Sequence, residues 1–187
     1  MCRHQTQHLS VSRADKCNTI IATKKKNQYE TIASQNLLGL KSEARVEELF
    51  FTLKKRELFA ICLQETWRSG IETLENDNCL LILAGLDEKE MRSNRGEQGV
   101  GIALSSAAVE GWKRAGEVLH NDFGGRIVAV RILAKDNSDK DVGLFLISSY
   151  CPVGNADPDK WEEFLEKLRS CIARKQTDDI FVMPLIK

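Results

Sequence analysis

Two periodicities alternate along this chain, and the switches between them mark its elements. Apolar Val46, Leu49, Phe50 and Leu53 recur at helical spacing, and Ser42 precedes them as a plausible N-cap, which predicts a helix over residues 43–55. On either side lie short extended runs, residues 29–36 and 59–64, the second almost continuously apolar as in a strand buried on both faces. Strand, helix, strand at this spacing predicts a βαβ unit with its two strands side by side and parallel. Further strands are expected at 79–84 and 100–104, separated by a charged loop containing Lys89, Arg92 and Arg95. Residues 126–133 and 142–150 flank a turn-rich polar insert and predict an antiparallel hairpin. Asp157 and Pro158 open a second helix, expected to turn Trp161, Phe164, Leu165, Leu168 and Ile172 inward, and a last strand follows at 179–183. Strands and helices without strict alternation indicate an α+β fold, with sheets packed on one another and helices outside.

Composition narrows the picture. A chain of 187 residues is long enough for a real core. No apolar run reaches membrane-spanning length and the first twenty residues carry no apolar secretory segment, so no membrane partner is expected. The expected location is intracellular, nuclear or cytoplasmic, rather than secreted, with the six scattered cysteines reduced. Charge is balanced overall but uneven: residues 1–28 hold six Lys or Arg against Asp15, a net of +5, which leaves −5 for the rest. That stretch lacks sustained periodicity and reads as a disordered basic arm preceding a domain over 29–187. Cys2, His4, His8 and Cys17 match no zinc-ligand spacing, and Lys24, Lys25 and Lys26 read as a solvated charge cluster. His120 sits in a polar stretch and is expected to be exposed.

The candidate chemistry lies where strands end. The apolar run 59–64 delivers Glu65 to a strand terminus, Asn36 closes the preceding strand, and Tyr150 closes a later one just before Pro152. Each has a structural reading on its own: a capping acid, a turn amide before Gly39, a buried aromatic with a satisfied hydroxyl. Together they make a pattern. A strand ending in Asn36, a strand ending in Gln64-Glu65-Thr66 and a strand ending in Tyr150-Cys151-Pro152 resemble the endonuclease/exonuclease/phosphatase superfamily, the DNase I-like fold. The likeness is closest to the endonuclease domains of non-LTR retrotransposons and the craniofacial-development-protein-2-like genes related to them.

That resemblance implies a four-layer α/β/β/α sandwich, partial here, and magnesium- (or manganese-) dependent cleavage of a phosphodiester in nucleic acid, DNA ahead of RNA. It implies Glu65 as the principal metal ligand, Asn36 orienting metal or phosphate, and Tyr150 donating to the phosphate. Arg126 falls where family members often carry a basic residue and is a candidate phosphate contact; a structural ion pair is its alternative. The chain also departs from the family. After the strand matching residues 180–182 a Gly-Asp-Phe-Asn motif and a later Asp–His pair are expected, but the sequence reads Met183-Pro184-Leu185-Ile186-Lys187. The expectation is therefore a C-terminally truncated domain lacking much of the second half, weak or inactive as a catalyst and marginally stable. The alternative is a non-catalytic remnant that binds nucleic acid or protein.

Overall fold

A computed structural model describes residues 13–14, 17–25, 28–87, 89, 98–121, 123–136, 138–152, 154 and 156–184, with side chains from residue 30 onward. The elements in order are β1 (Arg13–Ala14), β2 (Cys17–Lys25), β3 (Gln28–Asn36), α1 (Glu43–Lys55), β4 (Ala60–Gln64), β5 (Ile71–Asn76), β6 (Cys79–Ala84) and β7 (Val100–Leu104). There follow α2 (Ser106–Arg114), β8 (Leu119–His120), β9 (Ile127–Lys135), β10 (Asp141–Ser149), α3 (Pro158–Ile172) and β11 (Ile180–Val182). They make two sheets, ordered β1-β2-β3-β4-β7-β6-β5 and β11-β10-β9-β8. The expected βαβ unit is present: β3 and β4 run parallel, Ile32 opposite Ala60 through to Asn36 opposite Gln64.

Strand alternation decides which layer each residue enters. Even positions of β3 and β4 (Ile32, Ala60, Cys62) join a core between the sheets with Val128, Val130 and Leu146 of the second sheet. Odd positions (Ala33, Ile61, Leu63) pack under Val46, Leu49, Phe50 and Leu53 of α1. The outer face of the second sheet, through Ile127, Ala129, Phe145 and Ile147, is covered by Phe164 and Cys171 of α3. The result is a mixed α+β arrangement of four layers: helix, sheet, sheet, helix.

Several elements differ from the sequence expectation. In the stretch expected as a loose arm, Cys17–Lys25 is a strand paired antiparallel with β3, and its β-branched run Thr19-Ile20-Ile21 suits a sheet. Cys2, His4, His8, Lys16 and Lys26 lie outside the described residues, as does 90–97 of the charged loop. Helix α2 occupies what reads as a polar break; the Ser105 hydroxyl caps it by accepting from Ala108 N at 3.3 Å. Gly111 in its middle looks like a breaker, yet it is what lets α2 approach the β9 backbone, since a Cβ there would collide with Leu133 O. Strand β5 is an edge strand with alternating exposure, turned into β6 by Asp77 and Asn78, both at positive φ. His120 is half-buried in β8, its ring 5.8 Å from Phe145 and its Nδ1 3.3 Å from Arg174 Nη1, so it packs on the outer face of the second sheet and is not a solvated loop residue. Leu165 is 40% exposed, while Trp161 is half-buried edge-on to Phe164.

One ion pair between a half-buried arginine and a buried aspartate ties the second sheet together. Arg131 on β9 reaches across β10 to Asp179 beside β11, with Nε 3.0 Å from both carboxylate oxygens and Nη2 2.9 Å from Oδ1. The crossing passes over Gly143, where a Cβ would stand 2.8 Å from Arg131 Nη2 and closer still to the carboxylate. Among the described residues no helix is long and apolar enough to cross a membrane.

Candidate active site at the rim between the sheets

Asn36, Glu65 and Tyr150 meet. Asn36 Nδ2 donates to Glu65 Oε1 at 2.8 Å, and the Tyr150 hydroxyl donates to the same oxygen at 3.1 Å. Asn36 and Tyr150 arrive by alternation. Asn36 continues the inward-facing set Ile32, Ser34 of the first sheet, and Tyr150 continues Leu146, Ser148 of the second. Glu65 does not. As an odd residue it belongs on the α1 side with Ile61 and Leu63, but its backbone turns to φ 54°, breaking the strand register and bringing the carboxylate to the rim. A left-handed glutamate costs about 1–3 kcal/mol and persists only where its surroundings dictate it. Here they do: Glu65 O accepts from Gly39 N at 2.8 Å, Thr66 N donates to Gly99 O at 3.1 Å, and Trp67 N donates to Gln98 O at 3.0 Å.

Behind the rim sits a buried polar relay that the sequence reading did not assign. Ser34 Oγ donates to Gln64 Oε1 (3.3 Å), Gln64 Nε2 to Ser148 Oγ (3.4 Å), and Ser148 Oγ to Leu63 O (2.9 Å). Gln64 is 2% exposed and both serines are buried, so this relay fixes β4 against β10 immediately beneath Glu65 and Tyr150. Its signal in the sequence was polar residues at inward positions of apolar strands. Ser148→Ala would leave the Leu63 carbonyl and the Gln64 amide without that partner; the expected loss is about 1–3 kcal/mol in urea unfolding, and an unchanged midpoint would show the relay to be inert.

Arg126 joins from the second sheet. Its Nη1 donates to Tyr150 O at 3.1 Å and its guanidinium lies 5.6 Å from the Tyr150 ring centroid. Among the described residues it forms no ion pair, so the structural alternative raised for it is not what holds it. Burial lowers its pKa from the ordinary arginine value, opposed by Tyr150, Cys151 and Glu163, but a guanidinium stays charged in proteins.

Burial first, then the Glu65 carboxylate, pushes the Tyr150 phenol above its ordinary value. The phenol is therefore protonated and donating at neutral pH. The contribution of its hydrogen bond is full below the unfolded phenol range and is lost as pH rises through the higher folded value. The chain has two tyrosines, so Tyr29→Phe leaves Tyr150 as the only phenol. Its phenolate absorbance is expected to titrate above about 10 and to move back toward that value on Glu65→Gln. A normal titration in both proteins would contradict the contact.

The donor set bears on metal binding. Glu65 Oε1 receives two hydrogen bonds, whereas Oε2 receives none among the described residues, leaving one half-buried carboxylate oxygen without a proton donor. Among the described residues no group of three His, Cys, Asp or Glu gathers to hold a metal. A single carboxylate suits a hard cation that keeps most of its waters, as magnesium does, and does not suit a fully protein-ligated zinc. Asn36 Oδ1 accepts from Leu38 N at 3.2 Å, so in this arrangement its amide faces Glu65 and its oxygen faces its own turn.

No protein-family model and no curated protein matches the sequence. Solved structures do, among them the crystal structure of the Xenopus laevis APE2 catalytic domain, at 23% identity and a TM-score of 0.45. That match covers 74% of this chain and 49% of the other, so the chain spans about half the length of that structure.

Proposed function

We propose that the rim is a magnesium-dependent phosphodiester site, acting on nucleic acid, DNA before RNA, with low turnover by the described residues alone. The observation that carries this reading is the convergence on one carboxylate oxygen of donors from two different sheets, with the second oxygen left open. Glu65 would hold the cation (magnesium, or manganese), which when bound neutralises phosphate charge and supplies an acidified water. Asn36 fixes the rotamer of that carboxylate through its amide. Arg126 brings a permanent positive charge to the same edge, and the Tyr150 hydroxyl, whose one proton is donated to Glu65 Oε1 here, would be free to turn to a phosphodiester oxygen once a cation takes that carboxylate. These groups bind and orient. General-base help contributes a further hundredfold or more in typical enzymes, and none of the four supplies it, which is why slow hydrolysis is expected.

The test is nicking of a supercoiled plasmid with and without magnesium, beside a calorimetric magnesium titration. Slow nicking that needs magnesium and Glu65 supports the reading. Magnesium binding without nicking identifies a binding module rather than an enzyme, and the absence of both removes the site.

A further inference from the structure

The chain has three tryptophans, and they serve different ends. Trp112 packs against the core between the sheets, and Trp161 against the core under α3. Among the described residues Trp67 joins none of the three core clusters. Its half-buried ring lies on a stretch of backbone instead. A Cβ added to Gly39 would stand 2.5 Å from the Trp67 Cε3 and 2.9 Å from its Cζ3, and the three atoms nearest to that point all belong to the indole. Only glycine permits this approach, and its φ of 105° is also one that suits glycine. Gly39 is buried although Leu38 beside it is 60% exposed, so the indole closes the turn against water.

That turn orients the candidate site. Leu37 N donates to Gln64 O at 2.9 Å, while Gly39 N donates to Glu65 O and Leu40 N to Thr66 O, each at 2.8 Å. Inside it, Leu38 N donates to Asn36 Oδ1 at 3.2 Å, which leaves the other end of the amide, Nδ2, to donate to Glu65 Oε1 at 2.8 Å. The way the Asn36 amide faces therefore depends on where Leu38 N lies. In an opened turn Oδ1 loses its donor, and the amide is free to rotate and set an oxygen, rather than a proton, against the carboxylate. Trp67 is itself fixed from behind. Its N donates to Gln98 O at 3.0 Å, and Arg68 Nε donates to Leu40 O at 2.8 Å. Its backbone is left-handed, φ 56°, a strained state for a bulky residue that persists only where the surroundings dictate it.

We infer that Trp67 is a positioning residue for the rim: its indole, closed over Gly39, holds the turn that makes Asn36 present Nδ2 to Glu65. This rests on Glu65 as the cation-binding carboxylate. The first readout needs no metal. In a Tyr29→Phe background the phenolate absorbance of Tyr150 reports its contact with Glu65 at 3.1 Å. Trp67→Ala is expected to move that titration down toward the ordinary phenol value, in the direction that Glu65→Gln moves it, and to weaken calorimetric magnesium binding about tenfold. Trp67→Phe keeps a ring over Gly39 and is expected to match the parent in both. Urea midpoints are measured on the same preparations, and Trp67→Leu replaces Trp67→Ala, with the same expectation, should the alanine variant not fold. A folded variant without the ring that keeps the parent's phenol titration overturns the inference, as does a Trp67→Phe that falls with Trp67→Ala. So does a core variant, Trp112→Leu, that moves the phenol equally far, because loss of packing alone would then account for the shift. A magnesium isotherm indifferent to Glu65→Gln instead removes the cation site, while the metal-free phenol readout still decides on Trp67, so the two failures are distinct.

Discussion

Glu65→Gln is expected to lower magnesium-dependent nicking by about a hundredfold or more while leaving the fold standing. The substitution is isosteric. Its amide oxygen can still accept from Asn36 Nδ2 and the Tyr150 hydroxyl, so the contacts at 2.8 and 3.1 Å survive. What disappears is the negative charge that would hold the cation. Stability should therefore stay within about 0.5 kcal/mol of the parent, because the position is half-buried at the rim and no core contact changes. The magnesium isotherm and the nicking rate should fall together. Activity retained in Glu65→Gln would leave the carboxylate without a catalytic role, whatever its geometry. An unfolded variant is separable from a dead one by its urea midpoint, measured on the same preparation.

The largest stability effect belongs to Arg131→Met. The Asp179 side chain is 2% exposed, and besides the guanidinium it receives Gln176 N at 3.1 Å. Removing the cation leaves a buried carboxylate with only that backbone donor, for an expected cost of about 3–5 kcal/mol. Replacing both partners together, Arg131→Met with Asp179→Leu, should recover most of the loss, because the penalty comes from the unpaired charge rather than from the missing bond. Gly143→Ala should act in the same direction, since its new Cβ enters the space through which the pair crosses β10. Urea unfolding of the three variants checks this, and a double variant as unstable as Arg131→Met would mean that the pair contributes specific attraction beyond satisfying a buried charge.

Much of the fold was legible because period and capping agree along the chain. Helix α1 carries its four apolar positions on one stripe, and α3 opens on Asp157 and Pro158 with the aspartate accepting from Asp159 N at 3.1 Å. Strands β6 and β7 are apolar throughout and are buried throughout. Elements that escaped notice are those whose local signal is weak or misleading. Helix α2 spans nine residues with a glycine inside, and its glycine has a meaning only against the β9 backbone. Strand β5 is held at one edge by its pairing with β6, so its alternation of exposed and half-buried residues carries little core signal. Strand β2 gains its place by pairing with β3, a partner that no local pattern reveals.

The candidate site divides in the same way. Strand ends put Asn36, Glu65 and Tyr150 forward, because a strand terminus is a local property that hydrophobic runs and turn residues write directly into the chain; Arg126 came only from the family resemblance. Nothing local could bring Tyr150 to Glu65, eighty-five residues apart, or reverse the side on which Glu65 faces. The packing of two sheets decided the first, and a left-handed backbone clamped by Gly39 and Gly99 decided the second. The relay through Gln64 belongs to the same category. Sequence determines what each segment prefers to be; long-range hydrogen bonds and interlayer packing determine where its last side chain points.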